Sequence, residues 1–193
     1  MKKIGLTGNI GSGKTYVSKV FEALGVPIYY ADLEARKILN LPETIEILKQ
    51  TFGPTIALKS EEINRAALAD IVFNSSTELN KLNRIIHPKL KDHFLIWTHQ
   101  QTHSKYIIQE AAILFENGFD KFMDLTITVA APQEIRLKRV MERDGQAIEQ
   151  VLARMNHQWT DEKKEKTADF IIDNSGNQMI LPQVLKLHQI FNQ

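Results

Sequence analysis

The segment Gly8-Asn9-Ile10-Gly11-Ser12-Gly13-Lys14-Thr15 matches G-x-x-x-x-G-K-[ST] at every fixed position. Each fixed residue has a chemical reason. Glycines let the backbone wrap closely, so that successive N–H groups converge on an anion. A helix that starts at the end of the loop adds its positive end. Lys14 has the reach to touch the β- and γ-phosphates of a nucleotide, and the Thr15 hydroxyl is a ligand for Mg2+. The bland alternative is a chance glycine turn, but this segment follows a strand-like run and opens a helix-like one, the context the motif requires. The loop alone does not choose among kinases, GTPases and ATP-driven machines. Asn80-Lys81-Leu82-Asn83 lacks the aspartate of the guanine-reading N-K-x-D, and a chain of 193 residues suits a small-molecule kinase better than a mechanical ATPase.

Other residues can do chemistry beside such a loop. Asp32 stands at the end of a second apolar run, where it can orient an acceptor hydroxyl and take its proton. It reads equally as the N-cap of a helix starting at Leu33. Arg136, Arg139 and Arg143 fall at i, i+3 and i+7, with Leu137, Val140 and Met141 as the opposing apolar stripe. Such a row stabilises a transferring phosphoryl group, or it is a solvated basic face; Arg136 is assigned to the solvated face. Arg154 and Gln158 share a face at i, i+4. Glu110 ends an apolar run and reads either as a holder of the Mg2+ water shell or as a solvated strand end. His87 precedes Pro88 and is either an acceptor contact or a structural residue. No His/Asp/Glu group has metal-site spacing, so the only metal expected is nucleotide-bound Mg2+.

Positioning these groups takes a sheet. Residues 3–7 read as a strand, 14–24 as an amphipathic helix with Gly25 behind it, and 27–31 as a second strand. That is a βαβ opening, which favours a parallel sheet. Further strands are expected at 106–109, 125–130 and 170–172, with a helix that starts at Pro132 and a C-terminal helix carrying Leu181, Val184, Leu185 and Leu187. Residues 33–101 show helical stripes (Leu68 with Val72; Leu79, Leu82, Ile85 and Ile86) broken at Pro42, Gly53-Pro54 and Pro88, with no buried-strand run.

The formal net charge is +1, so no global basic field points to nucleic acid or an anionic membrane. There is no cysteine, which excludes a disulfide scaffold and Cys-ligated metal. No run approaches the roughly 20 apolar residues of a membrane span. The opening residues are too soon broken by Gly5 and Gly8 for a signal peptide, so a cytoplasmic placement is the expectation.

Taken in order, several short segments resemble the dephospho-coenzyme A kinases. They are Gly5-Leu6-Thr7-Gly8 with the loop to Thr15, Tyr30-Ala31-Asp32 with Leu33-Glu34-Ala35-Arg36, Phe52-Gly53, Asn64-Arg65-Ala66-Ala67-Leu68, Val72-Phe73 and Ile86-His87-Pro88. Leu114-Phe115-Glu116, Arg139 with Arg143-Asp144, Arg154 with Gln158, and Ala168-Asp169 leading to Asn174-Ser175-Gly176 complete the set. The chain departs from that family at Tyr30, where an aspartate is usual, at Asn9, where glycine is common, and at Ala112, where proline is usual.

The resemblance implies an α/β P-loop kinase core with a five-stranded parallel sheet (residues 1–32, 102–138 and 162–193), a helical acceptor-binding insertion (33–101) and a short lid (139–161). It implies ATP and Mg2+ as cofactors, with nucleotide contacts from Gly8, Ile10, Gly11, Ser12, Gly13, Lys14, Thr15, Tyr16, Arg143 and Asn174, and Thr15 on the metal. Asp32, Lys14 and Arg139 become the catalytic candidates; Asp32, Arg65, His87, Glu116 and Arg154 become the acceptor contacts. The implied reaction moves the γ-phosphoryl of ATP onto the ribose 3′-hydroxyl of dephospho-CoA. Two rivals share the same core: another nucleotide or nucleoside kinase, and a non-catalytic ATP-binding regulator.

Overall fold

The structure is a computed structural model. It describes the whole chain except Lys59, Glu61, Asn74, Gln146 and His157 and the side chain of Phe73. The chain forms two compact units, Met1–Tyr30 with Gln101–Gln193, and Ala31–Gln100.

The first unit is built on strands β1 (Lys2–Thr7), β2 (Ile28–Tyr30), β3 (Tyr106–Glu110), β4 (Leu125–Ala130) and β5 (Phe170–Asp173). Their order is β2-β3-β1-β4-β5 and every pairing is parallel. Parallel strands covered on both faces read as continuous apolar runs, and β3 is buried along its whole length. The α1 helix (Lys14–Ala23) and the C-terminal helix (Ile180–Phe191) close one face. They bring Val17 and Phe21, and Val184, Leu187 and Phe191, onto Ile4, Leu6, Ile108, Ile127, Val129 and Ile172. Between β4 and β5 lie α6 (Gln133–Asp144), α7 (Ile148–Met155) and α8 (Asp161–Thr167). Pro132 sits one residue earlier than expected, as the N-cap of α6 rather than its first helical residue. Asp169 holds the start of β5 beside β4 by accepting from both the N–H and the hydroxyl of Thr126 (2.8 and 2.7 Å).

The second unit carries α2 (Ala31–Leu39), α3 (Pro42–Phe52), α4 (Arg65–Phe73) and α5 (Ser76–His99), and α9 (Ile180–Phe191) ends the chain in the first unit. The second unit has its own core of Ile45, Leu48, Ile56, Ile63, Leu68 and Val72. Asn64 caps α4 by accepting from Ala67 N–H (3.2 Å), and Ser75 caps α5 by accepting from Glu78 N–H (3.4 Å).

Two expectations are corrected in this unit. Pro88 does not break the chain's helix but lies inside α5, on an exposed position where water can reach the carbonyl its ring leaves unpaired. The helix after β2 starts at Ala31, so Asp32 is a first-turn residue and not the cap of a helix at Leu33.

Phe191 is 1% exposed and packs edge-on against Tyr106 (5.3 Å between ring centres) and Phe170 (5.5 Å). Phe191→Ala is expected to cost about 3–5 kcal/mol, the usual range for an aromatic removed from a packed core. The measurement is the shift in urea unfolding midpoint by circular dichroism. A shift equivalent to less than about 1 kcal/mol would show that α9 is not needed to close the sheet.

Candidate active site

The loop after β1 leads into α1 at the C-terminal edge of the parallel sheet, where open α/β sheets bind ligands. The carbonyls of residues 9–13 each have a donor. Asn9 O accepts from Ser12 N–H (2.9 Å) and Gly13 O from the N–H groups of Tyr16 and Val17 (2.9 and 3.1 Å). Ile10 O accepts from Arg136 Nη1 (3.2 Å), Gly11 O from Arg139 Nη1 at a long 3.5 Å, and Ser12 O from Asn174 Nδ2 (2.6 Å). The remaining loop N–H groups at the head of α1 belong to the set a helix cannot satisfy internally.

The glycines are demanded by contact and by backbone angle. A Cβ at Gly11 would run into the backbone of Arg136, and one at Gly13 into the side-chain amide of Asn174; Gly13 also has φ +90°, a region L side chains rarely adopt.

A cavity of about 160 Å³ opens over this loop, lined by Gly11, Gly13, Lys14, Thr15, Arg139 and Arg143 among others. Lys14 Nζ stands 3.4 Å from Glu110 Oε1, and Glu110 is only 6% exposed. The strand-end carboxylate is therefore not a solvated one; it balances the loop lysine. Arg139 also donates to Asn174 O (3.1 Å). Arg143 is exposed and doubly hydrogen-bonded to Asp144 (2.7 and 3.0 Å), which pairs in turn with Arg154 (3.1 Å). These arginines, with Arg143 first, hold the Asp144 carboxyl down to about 2.

Arg136 corrects the sequence reading. It is not on a solvated face but 3% exposed. Its guanidinium donates to Ala131 O (3.0 Å) and Ile10 O and forms an ion pair with Asp161. The signal was present, since Arg136 lies four residues before buried Val140 and so on the same helical face. A second buried cation is one that the sequence pattern does not mark. Lys164 is 1% exposed and donates to Ala112 O (2.7 Å) and to Glu116 Oε1 (3.0 Å). Burial pushes its ammonium pKa down, and Glu116 opposes that shift. Glu116 also accepts from Trp159 N–H (2.9 Å), and Trp159 stacks on Phe115 (6.0 Å) with Lys163 Nζ over its ring (3.4 Å). Ala112 is where the sequence departs from proline, and the useful atom is its carbonyl, which also accepts from Gln158 Nε2 (3.4 Å).

The structure thus brings Asn9, Gly11, Gly13, Lys14, Thr15, Arg139 and Arg143 to one cavity, with Asn174 bonded to the loop at Ser12 O and to Arg139. Tyr16 faces outward on α1, Glu116 is committed to Lys164 and Trp159, and Arg154 reaches Asp144. In the second unit, Asp32 is exposed in the first turn of α2 and Arg65 in the first turn of α4. His87 is half-buried within α5, where burial pushes its pKa down, so the ring is neutral at pH 7. The 139–161 stretch covers the end of α6, Gly145 and α7, with Gln146 and His157 outside the described residues.

A family profile of dephospho-CoA kinase matches residues 2–179. The chain belongs to the dephospho-CoA kinase family. It is 39% identical over 186 residues to the dephospho-CoA kinase of Bacteroides fragilis, covering 96% of this chain and 90% of that one. The fold superposes on the dephospho-CoA kinase of Campylobacter jejuni with a TM-score of 0.72 at 29% identity, covering 98% and 96% of the two chains. A Thermus thermophilus protein of known structure gives a TM-score of 0.88 at 33% identity, with 98% and 96% covered. As in any kinase of this family, the phosphoryl donor is ATP and the acceptor is a small molecule. No helix among the described residues is long and apolar enough to cross a membrane.

Gly13→Ala tests the loop geometry. The substitution forces a non-glycine residue to positive φ, at a cost of roughly 1–2 kcal/mol, and pushes on Asn174. ATP affinity by calorimetry is expected to fall at least about ten-fold, the factor that 1.4 kcal/mol represents, with the circular dichroism spectrum unchanged. Native affinity would show that the left-handed turn at Gly13 is not needed for the phosphate cradle.

Proposed function

We propose that this chain transfers the γ-phosphoryl of ATP to the ribose 3′-hydroxyl of dephospho-CoA, the last step of coenzyme A biosynthesis. The observation that carries the reading is the loop of Gly8 to Thr15, with its carbonyls turned out and held, and its Lys14 paired to Glu110 at the floor of an arginine-lined cavity. Family membership selects the acceptor from those such a site can serve.

In this reading the loop N–H groups and Lys14 bind the β- and γ-phosphates. Arg139 and Arg143 stabilise charge as the phosphoryl group moves, and Asn174 keeps the loop seated. Asp32 orients the acceptor hydroxyl and accepts its proton. Arg65, His87, Glu116 and Arg154 are the acceptor-side candidates, and residues 139–161 form the lid that excludes water. Thr15 and Glu110 offer hard oxygen donors of the kind Mg2+ prefers, the first directly and the second through water. Bound there, Mg2+ supplies charge neutralisation on the phosphates.

The acceptor is tested by competition. With ATP and Mg2+, dephospho-CoA, AMP, CMP and adenosine are supplied at equal concentration and each product is followed. Dephospho-CoA is expected to have the highest specificity constant, and faster conversion of a monophosphate would overturn the acceptor assignment.

Asp32→Asn tests the proton acceptor. Asparagine keeps the shape and gives up only the roughly 0.3–1 kcal/mol that a carboxylate gains in a helix's first turn. Turnover is expected to fall by about a hundred-fold or more, the scale of a lost general base, with ATP affinity native. Native turnover in the folded variant would leave Asp32 as a helix-dipole residue.

A further inference from the structure

Asn9 stands at a loop position where the resembled family commonly has glycine, which carries no side chain to tether. Here the side chain is used. Its Nδ2 donates to Asp161 Oδ1 (2.8 Å) and to Trp159 O (2.9 Å). The amide orientation follows from those two acceptors, since Oδ1 in that place would face two oxygens. Asp161 in turn forms the ion pair with buried Arg136, and Arg136 holds Ile10 O. Next to it, Ile10 N–H donates to Gln158 Oε1 (2.8 Å). Both polar backbone atoms of Ile10 are thus bound to side chains outside the loop, and residue 9 is bound to the same strip of chain, 158–161.

We propose that Asn9, Arg136 and Asp161 are positioning residues that fix the tip of the phosphate loop in its anion-binding form before nucleotide arrives. The inference rests on the reading of this loop as the ATP site. None of the three needs to touch ATP for this effect. A loop whose tip is loose must be ordered when phosphate binds, and that ordering weakens binding in proportion to the fraction of loop already competent. Once phosphates are bound they hold the loop themselves, so the tether acts on ATP capture more than on the chemical step.

Charge explains why the tether runs through Asp161 and not through Arg136 directly. The guanidinium is spent on Ala131 O, Ile10 O and Asp161. Asp161 both balances that buried cation and presents an acceptor to Asn9. A loosened Asp161 would therefore release residues 9 and 10 together.

The test is a double-mutant cycle of Asn9→Ala and Asp161→Asn, read in two ways. The first is amide exchange of residues 9–13 in nucleotide-free protein. The second is KM for ATP against kcat. Asn9→Ala removes the tether at a residue that also lines the cavity, so the exchange readout in nucleotide-free protein is the deciding one. The variant is expected to speed exchange of the loop tip and raise KM for ATP, each by about ten-fold, the worth of about one hydrogen bond. Its kcat should stay within about two-fold and its KM for dephospho-CoA should be native, since bound phosphates restore the loop. Asp161→Asn lowers the melting temperature as well, because it leaves Arg136 unbalanced, so both readouts are taken on the folded protein. The double variant is expected to be no worse than the poorer single one. Native exchange and native KM in Asn9→Ala would overturn the proposal, and so would effects that multiply in the double variant. If the wild-type chain proved unable to phosphorylate dephospho-CoA, the functional reading would fail while the exchange arm would still decide this one.

Discussion

A backbone that turns its N–H groups toward an anion must turn its carbonyls the other way, and those carbonyls need donors. That single requirement organises the first unit of this protein. Loop carbonyls from Asn9 to Gly13 each have a donor, and for Ile10, Gly11 and Ser12 the donors are side chains from elsewhere in the sequence. Arg136 and Arg139 come from α6 and Asn174 from the end of β5. The sheet order places β4 and β5 on the loop's side of β1, so the helix leaving β4 and the turn leaving β5 both arrive within reach. Leaving one such carbonyl buried and unpaired costs on the order of 1–3 kcal/mol, enough to make the loop prefer another shape.

The second consequence concerns charge. Buried cations beside an anion-binding loop need balancing charges of their own when no anion is bound. Lys14 is balanced by Glu110, Lys164 by Glu116 and Arg136 by Asp161. Such pairs add little net stability over an apolar filling, yet removing one partner from a buried pair costs about 3–5 kcal/mol. They act as fixed points. Lys164 also ties Ala112, next to the end of β3, to α8, and Gln158 ties the same carbonyl to Ile10 N–H. In the proposed reading, these contacts hold the region in place before it receives charge, which is the condition for electrostatic stabilisation without reorganisation.

Much of this was legible in the sequence. The strands at 125–130 and 106–109, the loop and α1 follow from apolar runs and glycine spacing, because parallel strands and a phosphate loop have little chemical freedom. The ordered short motifs carried the family. What stayed hidden shares one cause: periodicity treats every charged residue as a surface residue. Arg136 lies on the buried stripe with Val140, and Lys164 lies in the run Asp161-Glu162-Lys163-Lys164-Glu165-Lys166, where nothing marks one lysine as interior. Their partners, a loop carbonyl and carboxylates distant in sequence, are visible only once the chain is folded. Pro88 misled for the converse reason: the local rule expects a break, and a long helix with that position exposed tolerates the loss of one hydrogen bond.

One helix shows where the structural part of the site ends and the chemical part begins. Arg136, Arg139 and Arg143 are successive cations of α6, and their commitments fall along the row. Arg136 is buried, and all three of its guanidinium nitrogens are engaged by protein. Arg139 lines the cavity and gives one short hydrogen bond to Asn174 O and one long one to Gly11 O. A guanidinium has five N–H donors in a fixed fork, so Arg139 can keep the loop seated and still offer donors to an anion in the cavity. Arg143 is exposed, and its bonds go to the neighbouring Asp144, a surface pair of the kind worth little and easily exchanged. In the proposed reading, a phosphate entering the cavity meets first a cation it can recruit from a weak pair, then one it shares with the loop, while the third is fully engaged by protein. The i, i+3, i+7 spacing places all three on one helical face, and burial separates the fully engaged Arg136 from the cavity-lining Arg139 and the exposed Arg143.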